Sequence, residues 1–402
     1  MDQENGARKL NRRNFLALGT AGLAAATLAG DSPLVQAAET KGQPPTQAGS
    51  AGKKIAVLGT GAIGSSVASE LTRAGEDVWL IDQWPAHVEA MKSNGLHIKM
   101  PEGDLRVKVS AMHLCEVCVF KQQFDVVFLT CKSPDSHWLA EFIKPHLAPN
   151  GVLVSLQNSL NDEWVAPIVG YERDVASVVE LSAELWEPGV VARHTSPART
   201  WFALGELHGR VTPRVQELAK ILSPAGKTEV KPNIWGGKWS KLAVNCMYMP
   251  ITGILRISDW DVAQNPRLLE LAIRLGRECL QVGVALGYQV EPIFGMSAEE
   301  MLGATDEMLK RTLLTLFAHI GQKKAINCFL QDVIKGRPTE VHHLNGLVVA
   351  KGRAAGIPTP LNQEITRIVE QIEAGQLGFG PENLGRVESL LHAKRAAAGK
   401  SF

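Results

Sequence analysis

The residues best placed to do chemistry in this chain begin with Gly59-Thr60-Gly61-Ala62-Ile63-Gly64. They follow an apolar run of strand length, Lys54 to Leu58, and precede a helical stretch, Ser65 to Ala74, which Gly75 closes as a C-terminal cap. Val78 to Ile81 reads as a second strand, and Asp82 ends it, 18 residues beyond Gly64. A glycine-rich turn alone is common. Strand, glycines, helix, strand and carboxylate within one short βαβ unit form a dinucleotide-binding pattern. Gly59 permits the tight turn, Gly61 lets the backbone approach a pyrophosphate, and Gly64 lets the helix lie close to the strand; Thr60, Ala62 and Ile63 complete the loop. The helix N-terminus then offers unpaired N–H groups and a positive dipole end to the phosphates. Asp82 stands where a carboxylate would bind the adenosine ribose hydroxyls and repel a 2′-phosphate. Only Gln83 and Trp84 follow, with no arginine, so NAD is favoured and NADP is left open. The plainer reading of Asp82 is a solvated strand-end charge; its place in the unit favours the cofactor role.

The elements that would position this loop continue the alternation. Phe124 to Thr130 and Gly151 to Leu156 read as buried strands, with helical spacing between them and again over Val211 to Leu222. Lys132 and Asn158 lie just past the ends of those strands, where ligands gather in open α/β sheets. The pattern predicts a Rossmann-type α/β domain with a mostly parallel sheet covered on both faces. Later strands at 175–179, 190–194, 200–204 and 228–231 are expected to extend or cap it. From Trp235 the period changes. Asn265-Pro266 opens a long amphipathic helix, and 308–316 and 361–372 behave similarly, so an all-α domain follows. The expected division is 1–50 leader and linker, 51–232 dinucleotide domain and 233–402 helical domain, with the substrate cleft between the halves.

Composition sets the outer limits. Of 402 residues 45% are hydrophobic and 21% charged, so a core is affordable and global disorder is excluded. A net charge of +1 argues against nucleic acid as partner. No apolar run reaches the ~18 residues of a membrane span. The first fifty residues carry Arg12-Arg13, Phe15-Leu16, a Gly/Ala/Leu segment from Ala17 to Gly30 and Val35-Gln36-Ala37. That order resembles a bacterial twin-arginine export signal cleaved after Ala37, with a cytoplasmic protein bearing chance arginines as the alternative. Cys115-x-x-Cys118 lacks a second pair at zinc-site spacing. Scattered buried thiols and no metal are the expectation, although export would permit a disulfide.

Several segments together are more specific than the glycine loop. Thr130-Cys131-Lys132, Leu156-Gln157-Asn158, Trp239-Ser240-Lys241-Leu242-Ala243-Val244-Asn245-Cys246, Leu330-Gln331-Asp332, Gly336-Arg337-Pro338-Thr339-Glu340 and Leu344-Asn345-Gly346 occur in this order. With the glycine loop they resemble the ketopantoate reductase (2-dehydropantoate 2-reductase) family over nearly everything after residue 52. That resemblance implies reduction of a 2-keto acid with a nicotinamide cofactor. It implies Lys241 as proton donor, Asn245 as a substrate hydrogen-bond donor, Asn158 and Lys132 at the cofactor near the active centre, and Glu340 facing the reacting groups. A proton donor beside a carbonyl that receives hydride stabilises the developing charge and quenches it. Without the resemblance Lys241 reads as a surface lysine and Glu340 as a helix-start carboxylate.

The departures bear on substrate. Met249 stands where the family commonly has a second Asn, and Cys328 where it commonly has a Ser for the substrate carboxylate. A thioether donates no hydrogen bond and a thiol only a weak one. Ser159 follows Asn158 instead of Gly, and His342-His343 replaces an acidic-polar pair. The cofactor residues keep the family pattern while the substrate pocket departs from it. The sequence therefore points to an exported nicotinamide oxidoreductase interconverting a keto group and a secondary alcohol on an acid other than ketopantoate, and a homodimer is compatible with it. The alternatives are an authentic 2-dehydropantoate 2-reductase of the pantothenate pathway and a non-catalytic dinucleotide-binding protein.

Overall fold

A computed structural model describes residues 52–318, 326–385, 387 and 389. The leader at 1–50 lies outside the described residues. Among the described residues, the first half holds twelve strands, some separated by helices and others consecutive: β1 Lys54–Leu58, β2 Asp77–Asp82, β3 Leu96–Lys99, β4 Leu105–Val107, β5 Ser110–His113, β6 Phe124–Leu129, β7 Leu147–Ser155, β8 Asp174–Glu180, β9 Ala183–Glu187, β10 Val190–Arg193, β11 Trp201–Glu206 and β12 Lys227–Val230. Eight of them form one sheet in the order β12-β11-β8-β7-β6-β1-β2-β5. All its neighbours are parallel except β11 against β8. Central strands such as β1, with only its first residue part-exposed, are apolar because helices cover both faces.

The remaining strands make a second sheet, β4-β3-β10-β9. The strand expected at 190–194 to extend or cap the main sheet belongs here, pairing with β9 and β3. Short strands with exposed positions at their ends give little periodic signal, so this sheet had none of its other members foreseen. Arg193 fixes it to the main domain: fully buried, its guanidinium donates to the carbonyls of Thr195 and Ala225 and faces Glu70 of helix α1 (Ala62–Arg73).

After β12 the chain is helical. Helix α2 (Ile234–Leu255) is apolar almost all round and is buried accordingly. Helix α3 (Pro266–Ala285) starts at the Asn265 cap, whose side chain accepts from Arg267 and Leu268 N–H, with proline in the first turn. Helix α4 (Cys328–Ile334) is capped by Asn327 in the same way, and α5 (Asn345–Ala355) and α6 (Pro360–Glu373) complete the group around α2 and α3. This is the expected α/β domain followed by a helical one. No helix among the described residues is long and apolar enough to cross a membrane. The expectation of buried thiols needs correction: Cys246 and Cys279 are buried, but Cys115 and Cys118 are exposed free thiols. Both sit on or beside one short helical turn, Leu114–Val117, which has too little apolar surface to be covered.

Candidate active site

A cleft of about 440 Å³ runs between the two halves, with Gly59, Gly61 and Asp82 on one side and Lys241, Cys328 and Glu340 on the other. Its first end is built by β1 and α1. Gly59 has φ +87°, and a Cβ there would lie 2.7 Å from the Cys131 backbone, so both conformation and space require glycine. Gly64 faces Thr130 and the Gly59 carbonyl so closely that a Cβ has no room. At Gly61 a Cβ would meet nothing within 4 Å. Gly61 is also the N-cap of α1 with no side-chain cap, so the first N–H groups, Ala62 and Ile63 among them, open onto the cleft. An open glycine, bare helix N-terminus and nearby carboxylate fit a dinucleotide's pyrophosphate and ribose.

Asp82 is nearly buried at the end of β2 and is already oriented: Thr60 Oγ1 donates to Oδ2 at 3.1 Å and Trp84 N–H to Oδ1 at 2.8 Å. Beneath the loop lies His87, a residue no local signal marked. Gly189 N–H donates to its Nδ1 at 2.9 Å, so Nε2 carries the hydrogen and donates to the Thr60 carbonyl at 2.9 Å. Burial holds its pKa below the ordinary histidine value despite Asp82.

The other end joins both halves. Asn245, buried on α2, donates from Nδ2 to Asn158 Oδ1 at 3.0 Å, and Asn158 Nδ2 reaches Cys328 Sγ at 3.5 Å. Cys328 Sγ in turn lies 3.9 Å from Glu340 Oε2. Burial pushes the Cys328 thiol up to about 11, so it is the donor in that contact. Glu340 is also buried, and Ser133 donates to Oε1 from its backbone at 2.9 Å and its hydroxyl at 2.7 Å. Burial alone would raise the Glu340 carboxyl; the Lys132 ammonium and the Ser133 hydrogen bonds outweigh it and hold it below the ordinary range. Glu340 is therefore an ionised carboxylate at neutral pH.

Lys132 points into the helical half, 2.6 Å from Asp332 Oδ2 and 3.7 Å from Glu340 Oε2, and donates to the Cys328 carbonyl at 3.1 Å. Lys241 lines the cleft with Met249 and Asn158. Burial pulls its ammonium below the ordinary lysine value, with Glu180 the largest opposing charge. Asn245 does not line the cleft; its Nδ2 donates to Asn158, while its buried Oδ1 has no hydrogen-bond partner among the described residues. The geometry thus brings Lys241, Asn158, Met249, Cys328, Glu340 and Lys132 to one place, with Asn245 behind them. Neither Ser133 nor Asp332 carried an expected role, although Asp332 lies in the Leu330-Gln331-Asp332 segment. His342 is exposed, and His343 meets Trp164 edge-on at 5.5 Å; no group of three His, Cys, Asp or Glu among the described residues could hold a metal.

Comparison with known proteins gives consistent results. Residues 55–206 match the family described as ketopantoate reductase PanE/ApbA, and residues 233–373 match its C-terminal counterpart. A 2-dehydropantoate 2-reductase of Pyrococcus horikoshii is 30% identical over 334 residues, covering 81% of this chain and 99% of its own. Among solved structures, a PanE/ApbA family ketopantoate reductase from Ralstonia eutropha has a TM-score of 0.67 and 28% identity, covering 80% of this chain and 99% of that one. A ternary complex of D-mandelate dehydrogenase with NADH and anilino(oxo)acetate shares the fold at a TM-score of 0.68 and 22% identity, with coverage of 80% and 99%.

Proposed function

The chain belongs to the ketopantoate reductase family and is an oxidoreductase of that type, and within it we propose an enzyme that interconverts a keto group and a secondary alcohol on a small or medium acid other than ketopantoate, with NAD as favoured cofactor. The single observation that carries this is Lys241: a cleft-lining lysine whose ammonium burial has made easier to deprotonate, across from an open dinucleotide loop. When bound, the nicotinamide supplies hydride to the carbonyl carbon or accepts it from the alcohol.

The chain's own residues do the rest. Backbone N–H groups at Gly61, Ala62 and Ile63 hold the pyrophosphate, and Asp82 accepts from the ribose hydroxyls. Lys241 donates a proton to the developing alkoxide oxygen in reduction and takes the alcohol proton in the reverse direction. Asn158, oriented by Asn245, adds a hydrogen bond at the reacting centre, and Glu340 keeps a fixed negative charge at the far wall. Met249 and Cys328 make the substrate wall apolar and weakly donating, which supports a less hydroxylated acid than ketopantoate. The same fold holds NADH in D-mandelate dehydrogenase. Because the Pyrococcus horikoshii relative is a 2-dehydropantoate 2-reductase, ketopantoate itself is the second reading.

A screen of keto acids with NADH and NADPH, read by nicotinamide absorbance beside Lys241→Ala, tests the proposal. The expected result is turnover lost in the variant with dinucleotide affinity kept. Unchanged turnover rejects Lys241, a higher kcat/KM with NADPH rejects the role of Asp82, and ketopantoate as best substrate selects the second reading. Absence of turnover on every acid leaves a binding protein. Export through the leader is also proposed, from sequence alone; a mature N-terminus at Ala38 in an exported fraction is the expected result.

A further inference from the structure

Two cations of the cleft have no part in the chemistry above. Lys335 and Arg337 both line it, on the turn between α4 and Glu340, and Gly336 at φ +65° reverses the chain between them. Lys335 Nζ lies 4.6 Å above the ring of Trp186 on β9. The adjacent Leu185 is buried with Val67 and Leu71 of α1 in one apolar cluster. Strand β9 packs against α1, and Lys335 lines the same cleft as Ala62 and Ile63 at the bare N-terminus of that helix. Neither cation is in an ion pair among the described residues. The nearby carboxylate of Asp332 is taken by Lys132 at 2.6 Å. Burial first and the adjacent Arg337 second pull the Lys335 ammonium down to about 8, against the opposing charges of Asp332 and Glu184.

We propose that Lys335 and Arg337 are the counter-charges for the pyrophosphate of the bound dinucleotide, reaching it from the helical half so that the cofactor is clasped between the halves. This rests on the dinucleotide reading above and adds residues to it. A pyrophosphate diester carries two negative charges, and α1 supplies only about half a positive charge through its N-terminus. The lysine and arginine side chains lining the cleft are Lys132, Lys241, Lys335 and Arg337. Lys132 is spent on Asp332, and Lys241 belongs to the reacting carbonyl. Lys335 and Arg337 remain for the phosphates, and a guanidinium beside an ammonium suits two adjacent phosphoryl groups.

The test compares the full-length protein with Lys335→Gln, Arg337→Gln and the double variant. Dissociation constants for ADP-ribose and for adenosine are measured by calorimetry at two salt concentrations, with thermal melting to confirm folding. ADP-ribose should weaken roughly tenfold per charge removed, with a flatter salt dependence, while adenosine binding is unchanged. Unchanged ADP-ribose affinity and salt dependence would overturn the assignment. So would a higher keto-acid KM with ADP-ribose unaffected, since the cations would then serve the substrate. An equal loss for adenosine also overturns it, because that loss does not involve the phosphates. Failure of the unaltered protein to bind ADP-ribose, NADH or NADPH would instead remove the dinucleotide reading, and this inference with it.

Discussion

At Lys241 burial and charge act in opposite senses. Burial disfavours the ammonium, Glu180 and Asp259 favour it, and burial prevails. Reduction requires the ammonium, so kcat for reduction should fall as pH rises through a pKa below the ordinary lysine value. Oxidation requires the amine and should rise over the same interval. Matched pH–rate profiles in the two directions check this, and Lys241→Arg, which cannot deprotonate in that range, should lose the limb. Lys241→Ala should lower kcat by about 10²–10⁴-fold, the usual worth of a positioned acid, which single-turnover kinetics would read. Cys328 sets a second expectation. Its two contacts are long, 3.5 Å from Asn158 and 3.9 Å to Glu340. A serine hydroxyl donates better, so Cys328→Ser should lower KM for a hydroxylated keto acid about fivefold, equivalent to roughly 1 kcal/mol, with dinucleotide affinity unchanged. These residues differ in how legible they were. Asp82 could be read directly because it and the glycines belong to one local unit. Lys241, Cys328 and Glu340 were reached only through the family's motifs. Ser133 and His87 were missed because their partners are set by the tertiary path: Ser133 meets Glu340 across 207 residues of sequence.

The βαβ unit separates two uses of glycine, and the difference is measurable. Gly64 sits where α1 touches Thr130 and the Gly59 carbonyl, so a methyl group there must push the helix off β1. Gly64→Ala should cost about 1–3 kcal/mol in stability, seen as a lower denaturation midpoint with unchanged m. Gly61 has φ −62° and open space around its missing Cβ. Gly61→Ala should therefore fold with stability within about 0.5 kcal/mol of the parent and yet bind NADH weakly, because the methyl occupies the phosphate's approach. Equal loss of stability in both variants would show that Gly61 is structural. The main sheet and the long helices were legible for the same reason as this loop, since buried strands and amphipathic helices carry their burial in their periodicity. The second sheet was not. Its strands are three to five residues long, and β10 is held by the buried side chain of Arg193, a charge that reads as solvent-exposed in sequence.

The two halves of the molecule are joined by charges as well as by apolar surface. Lys351 of α5 meets Glu163 at 2.7 Å, Glu340 takes two hydrogen bonds from Ser133, and Glu184 accepts from Ile326 N–H at 3.0 Å. A deeply buried junction lies one turn before Lys241 on α2. Lys238 Nζ is 2.6 Å from Asp162 Oδ2 and 3.2 Å from the Ser177 carbonyl, and both side chains are essentially inaccessible. Beside them Asp174 is wholly buried; burial first and the Asp162 charge second raise its carboxyl well above the ordinary range, while Lys238 restrains that rise. Such a pair adds little over apolar residues of equal size, but removing one member leaves an uncompensated charge. Lys238→Met should cost about 3–5 kcal/mol, and adding Asp162→Leu should recover most of it. The pH dependence has a definite sign. A carboxyl raised in the folded state contributes stability that is fully present below about pH 4, its unfolded value, and lost as pH rises through the raised value. Without Lys238 that value rises further, so the stability gap between Lys238→Met and the parent should widen from pH 4 towards neutrality. Urea denaturation at a series of pH values would read the gap, and a gap constant with pH would mean that Lys238 acts there by packing alone.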